Sequence, residues 1–168
     1  MKKHQKLMLR YGGIMGGASI VLTMLQYTLG AYNGKPLTVF LFGILPILLL
    51  SFFIFLGIYQ SKERSFRQMM KMGLGISIFF AVIAAVFWIV FIKYIAPTHL
   101  DTLNSLQLEA YKGEHPEVDA QTIEQMRTAM EGNTAPWIQF NLSLVSNLFF
   151  GLILSLLASS FFKIFNRN

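Results

Sequence analysis

Three histidines, eight carboxylates and a run of serines on the last apolar segment are the groups from which this chain would have to build chemistry. An intramembrane metal hydrolase requires two His at helical spacing beside a Glu, so that both imidazoles reach one ion while the carboxylate handles the proton. His4, His99 and His115 are scattered, and none falls in an apolar run. His99 with Asp101, or His115 with Glu117, supplies two loose ligands, short of a metal site. A serine nucleophile requires a neighbouring base that a third group orients. Ser143, Ser155 and Ser159 have neither within sequence reach, and no apolar run carries a pair of carboxylates. The absence of cysteine removes disulfides, thiol catalysis and iron–sulfur ligation. The expectation is a protein that is not an enzyme, with no cofactor and no metal.

A second kind of chemistry is electrostatic. Lys62, Arg64, Arg67 and Lys71 crowd a short stretch in which only Glu63 opposes them. A phosphate-binding loop would add glycines, and these are missing. The cluster reads as a cytoplasmic connector at residues 60–71 resting on anionic lipid headgroups, with Phe66, Met69 and Met70 dipping into the interface. The net charge of +6 and pI near 9.7 would also suit nucleic acid. A nucleic-acid reader, however, gathers its cations on one folded face. Here they flank apolar runs, so no nucleic-acid partner is expected.

Positioning these groups falls to apolar helices. With 54% apolar and 13% charged residues, the composition is that of a polytopic membrane protein. Four stretches are long enough to cross a hydrocarbon layer of roughly 30 Å: residues 11–32, 37–59, 72–95 and 138–162. Asn33-Gly34-Lys35-Pro36 is a turn whose proline opens the second helix, and Pro46 is expected to bend it. None of the spans carries an ionisable residue away from its ends, where such a group would mark an ion or proton path. Gln26, Asn141 and Asn147 are their strongest polar residues, each adequately explained by one interhelical hydrogen bond.

Since lipid provides no hydrophobic drive between helices, association depends on small residues that let backbones approach. Gly12, Gly13, Gly16 and Gly17 form two overlapping four-residue steps on the first span, and Gly13 with Gly17 is taken as the packing row. Gly73, Ser77, Ala81 and Ala85 form a row on the third. The fourth carries Ser143, Asn147, Gly151, Ser155 and Ser159, all four apart. Intramolecular packing is the expected use of these rows, with a homo-oligomer face or a polar transport path along Asn147 to Ser159 as alternatives.

Ten Lys and Arg fall on one side of the four spans and four on the other, which places both termini in the cytoplasm. Residues 97–136 then form an extracytoplasmic insertion holding seven of the eight acidic residues: Asp101, Glu109, Glu114, Glu117, Asp119, Glu124 and Glu131. Its pattern predicts a helical hairpin. Thr98 caps a first helix ending at Gly113, Pro116 opens a second, and Gly132-Asn133 stops it. The fold class is all-α, a single four-span membrane domain with this acidic hairpin between helices 3 and 4.

Three motifs add a resemblance. Arg10-Tyr11-Gly12-Gly13-Ile14-Met15-Gly16-Gly17, the segment Phe53-Ile54-Phe55-Leu56-Gly57-Ile58-Tyr59, and Ser65-Phe66-Arg67-Gln68-Met69-Met70-Lys71-Met72-Gly73 resemble a family of small bacterial integral-membrane proteins. That family is known only as a domain of unknown function and is common among the Bacteroidetes. The resemblance covers nearly the whole chain and implies four spans in a bacterial inner membrane, with no catalytic residues to carry over. The function expected is that of an accessory or assembly component of a cell-envelope complex, its partner a membrane or periplasmic protein engaged through residues 97–136. A small transporter or channel subunit is the alternative.

Overall fold

A computed structural model describes residues 3–31 and 36–165, with side chains from residue 4 and, after the interval, from residue 40. The described residues are helical or in short links, with no strand among them. The helices are α1 (Lys3–Thr28), α2 (Pro36–Ser61), α3 (Phe66–Val90), α4 (His99–Glu114), α5 (Ala120–Gly132) and α6 (Pro136–Phe165). Proline opens both α2 and α6, at the position where a helix needs no N–H. The helix α2 continues through Pro46. Four of the described helices are long and apolar enough to cross a membrane: His4–Thr28, Phe40–Ser61, Phe66–Ile95 and Pro136–Phe165.

The chain divides into two compact units. The first comprises Met1–Ala84 and Ser143–Asn168, the second Ala85–Leu142. In the first unit, side chains recurring every three or four residues meet in one core: Tyr11 and Met15 of α1, Leu50, Ile54 and Ile58 of α2, Met69, Met72, Ile76 and Phe80 of α3, and Ala158 of α6. The outward faces are apolar as well. Leu25, Phe40, Leu48, Phe52, Ile78, Val82, Phe149 and Leu156 are each at least 45% exposed. A bundle surrounded by water would put polar groups there, and exposed apolar area on this scale belongs against lipid.

Several boundaries differ from those expected. The third apolar helix begins at Phe66 rather than residue 72, because the Ser65 carbonyl already accepts the N–H groups of Gln68 and Met69, both at 3.0 Å. The connector therefore shrinks to residues 62–65, and Arg67 and Lys71 stand on α3. Met69 is fully buried in the core instead of dipping into an interface. At its other end α3 gives way at Phe91–Ile95 to one π-helical turn, in which the Ala96 N–H reaches the Phe91 carbonyl at 2.8 Å. Asn33, Gly34 and Lys35 of the expected turn lie outside the described residues, as do Lys2 and Arg167.

In the second unit α4 and α5 are joined by residues 115–119 and pack on each other. The Thr98 side chain makes no capping bond. Nor does Pro116 open α5, which starts four residues later. Asp119 caps it by accepting the Thr122 N–H at 2.6 Å, a local bond that outcompetes an earlier start because it satisfies an otherwise orphaned donor. The Thr122 hydroxyl and then this N–H hold the Asp119 carboxyl below the usual carboxylate range.

Candidate functional site

The small-residue rows show how the helices of the first unit approach. On α3 and α6 they mesh reciprocally: Gly73 faces Ser155 and Gly151 faces Ser77, the register of an antiparallel pair. A Cβ on Gly73 would lie 2.5 Å from Ser155 Oγ and 2.7 Å from its Cβ, and one on Gly151 would overlap Ser77 Cβ and Oγ. Each hydroxyl turns back on its own helix. Ser77 Oγ donates to the Gly73 carbonyl at 2.9 Å, and Ser155 Oγ to that of Gly151 at 2.6 Å. Both serines and Ala81 are fully buried. Ser159 Oγ is buried with no hydrogen-bond partner among the described residues. Asn147 is half-buried, and its Nδ2 makes a long 3.4 Å bond to Ser143 Oγ on the same helix.

On α1 the approach runs along the other row of glycines. A Cβ on Gly12 would be 2.5 Å from Phe79 Cβ and 2.8 Å from the Ile76 carbonyl oxygen, and one on Gly16 would be 2.7 Å from Ile83 Cγ2. Among the described residues, Gly13 and Gly17 would meet nothing within 4 Å. The reason is rotational phase. Tyr11 and Met15 enter the core, so the next residue of each turn faces α3 and the one after turns away.

Among the four expected headgroup contacts, Lys62, Arg64, Arg67 and Lys71 are all exposed, but the structure separates them. Lys62 and Arg64 line a cleft of about 510 Å³ with Tyr59 and with Phe161 and Phe165 from the end of α6, while Arg67 and Lys71 do not. Lys62 adopts φ 57°, the left-handed conformation common just past a helix end. Its N–H reaches the Tyr59 carbonyl at 3.3 Å, and the Glu63 N–H donates to Ser61 Oγ at 3.3 Å. The Glu63 carboxylate, also on the cleft, lies 3.1 Å from His4 Nε2 of α1.

The second unit holds two features. Between α4 and α5 is a polar cleft of about 410 Å³ lined by Asp101, Glu109, Lys112, Arg127 and Glu131. At the π-helical turn, Trp88 stacks on Phe91 with centroids 5.5 Å apart, and the His99 ring meets both edge-on, at 6.0 Å and 5.2 Å. Trp88 Nε1 donates to Gln139 Oε1 at 3.0 Å, and Gln139 Nε2 donates to the Asn133 carbonyl at 2.8 Å. His99 is only 8% exposed, and burial pulls its pKa below the ordinary 6.5. From the sequence His99 reads only as a loose partner for Asp101. The clue lay in Trp88 and Phe91, three apart at the end of an apolar run, although nothing local shows that a histidine eight residues later folds onto them. Among the described residues no three His, Asp or Glu gather as metal ligands.

Compared with known proteins, residues 10–163 match the model of a family described as "Protein of unknown function (DUF4199)". Neither the curated proteins nor the solved structures contain a match.

Proposed function

The chain belongs to this family of unknown function, and from its own geometry we propose that it is a non-enzymatic, multi-pass protein of a bacterial inner membrane, serving as an accessory or assembly component of a cell-envelope complex. Both termini are cytoplasmic, a reading supported by the ten-to-four distribution of Lys and Arg, and the α4–α5 hairpin is extracytoplasmic. The observation that carries the reading is the hairpin's open polar cleft of about 410 Å³, lined by three carboxylates and two cations. Charge of both signs in one open groove suits a partner protein with complementary charge, since such patterning sets register and excludes wrong partners. A membrane or periplasmic protein is that partner.

The test is mass spectrometry of the protein extracted with its native lipid in polymer nanodiscs, wild type against a version lacking residues 98–133. A stoichiometric partner present with the first and lost with the second is the expected result. Recovery of lipid and self-copies alone, unchanged by the deletion, would overturn the accessory role.

A further inference from the structure

The cleft at the end of α2 has two chemically distinct halves. One is cationic. Lys62 and Arg64 line it on either side of Glu63, and neither makes an ion pair among the described residues. Among the described residues Glu63 is the only carboxylate on the cleft, and it is engaged by His4 of α1. The backbone turn that places Lys62 at φ 57° is fastened by Ser61, which is buried and whose own hydroxyl donates to the Ile58 carbonyl at 2.7 Å. The two cations are thus carried on a built turn, not on a free tail.

The other half is apolar and open. Tyr59 is 69% exposed, Phe161 45% and Phe165 65%, and the rings of the last two lie 4.4 Å apart. Both walls belong to helices that are apolar enough to cross a membrane. Three exposed aromatic rings beside two cations match a ligand that is anionic at one end and hydrocarbon at the other. A soluble phosphate ester would use the cations and leave the rings bare.

We propose that this cleft binds one anionic phospholipid, its phosphate between Lys62 and Arg64 and the start of an acyl chain along Tyr59, Phe161 and Phe165. Arg64 supplies the planar fork that fits phosphate oxygens, and Lys62 a point charge. A volume of about 510 Å³ suits a headgroup with its glycerol and leaves the rest of the chains in the bilayer. The site is independent of the hairpin's role and rests only on the reading of α2 and α6 as membrane spans. It also splits the basic cluster. Arg67 and Lys71 contribute to the general field near the surface but not to the site.

That split is the basis of the test. The full-length protein in detergent is titrated with phosphatidylglycerol, or with phosphatidylcholine of the same acyl chains, and bound lipid is counted by native mass spectrometry. One phosphatidylglycerol is retained in preference to phosphatidylcholine. Replacing Lys62 and Arg64 together by Ala weakens its retention by about thirtyfold, the effect of two lost cation contacts. The Arg67→Ala, Lys71→Ala pair leaves it unchanged, and Phe161→Ala weakens both lipids while preserving the preference. All four basic side chains are exposed, so both basic double variants are expected to unfold at the wild-type temperature. Equal loss from the two basic pairs would overturn the site in favour of diffuse attraction. Equal retention of the two lipids would overturn it too, and displacement by an equal concentration of glycerol 3-phosphate would assign the cleft to a soluble ligand instead.

Discussion

Replacing Gly73 by Ala tests the α3–α6 seam most directly, because the new methyl would sit 2.5 Å from Ser155 Oγ and 2.7 Å from its Cβ. Carbon atoms in contact prefer about 3.5–4.0 Å, so the helices must separate by about 1 Å or Ser155 must leave its rotamer. Overpacking of this kind costs about 1–3 kcal/mol. Against it stands the higher helix propensity of Ala over Gly, about 1 kcal/mol. Two contacts this close put the overpacking in the upper part of that range, about 2–3 kcal/mol, so the net loss is about 1–2 kcal/mol, which for a chain of this size lowers the unfolding temperature by about 2–8 °C. The reciprocal register makes the prediction sharper. Ser155→Gly removes both atoms that the methyl strikes, so it should restore most of the loss in the double variant, with a coupling of about 1–2 kcal/mol. Ser77→Gly, one turn along, should rescue Gly151→Ala and not Gly73→Ala. The assay is thermal unfolding in detergent for the four single variants and the two matched and two mismatched pairs. Rescue that ignores the pairing, or a Gly73→Ala protein as stable as wild type, would refute the seam. If a crosslinked dimer vanished while the unfolding temperature held, the small residues would be serving a second copy of the chain.

Two further perturbations separate neighbouring possibilities. Gly12→Ala and Gly16→Ala should each lower the unfolding temperature in the same assay, while Gly13→Ala and Gly17→Ala should leave it unchanged or raise it slightly, since only the first pair would strike α3. Because burial lowers the His99 pKa, the unfolded chain takes up a proton near pH 6.5 while the folded one resists until lower pH. The stability tied to neutral His99 is therefore fully present above about pH 6.5 and lost as pH falls through the folded value. Unfolding temperatures measured between about pH 7.5 and 5 should fall, and His99→Phe should flatten that part of the profile. An unchanged slope in the variant would remove His99 as its source.

The four apolar helices were legible in the chain because a membrane helix satisfies its own backbone and must be apolar along its length, both local properties of sequence. The rows Gly73–Ser77 and Gly151–Ser155 were legible for a similar reason, since residues four apart share a face whatever surrounds them. The acidic character of residues 97–136 and the bias of Lys and Arg are also read residue by residue. Tertiary structure alone decided what depends on rotation and on distant partners. On α1 two glycine rows have identical spacing, and only the burial of Tyr11 and Met15 among side chains from α2 and α3 chooses Gly12 and Gly16. The four cations at residues 62–71 look equivalent in sequence, yet a four-residue turn and the aromatic end of α6, about a hundred residues away, set two of them apart. His99 reads as a surface histidine until the π-helical turn brings it onto Trp88 and Phe91. In each case local patterning specifies a helix and its faces, while the choice of face is a long-range packing energy that no single segment contains.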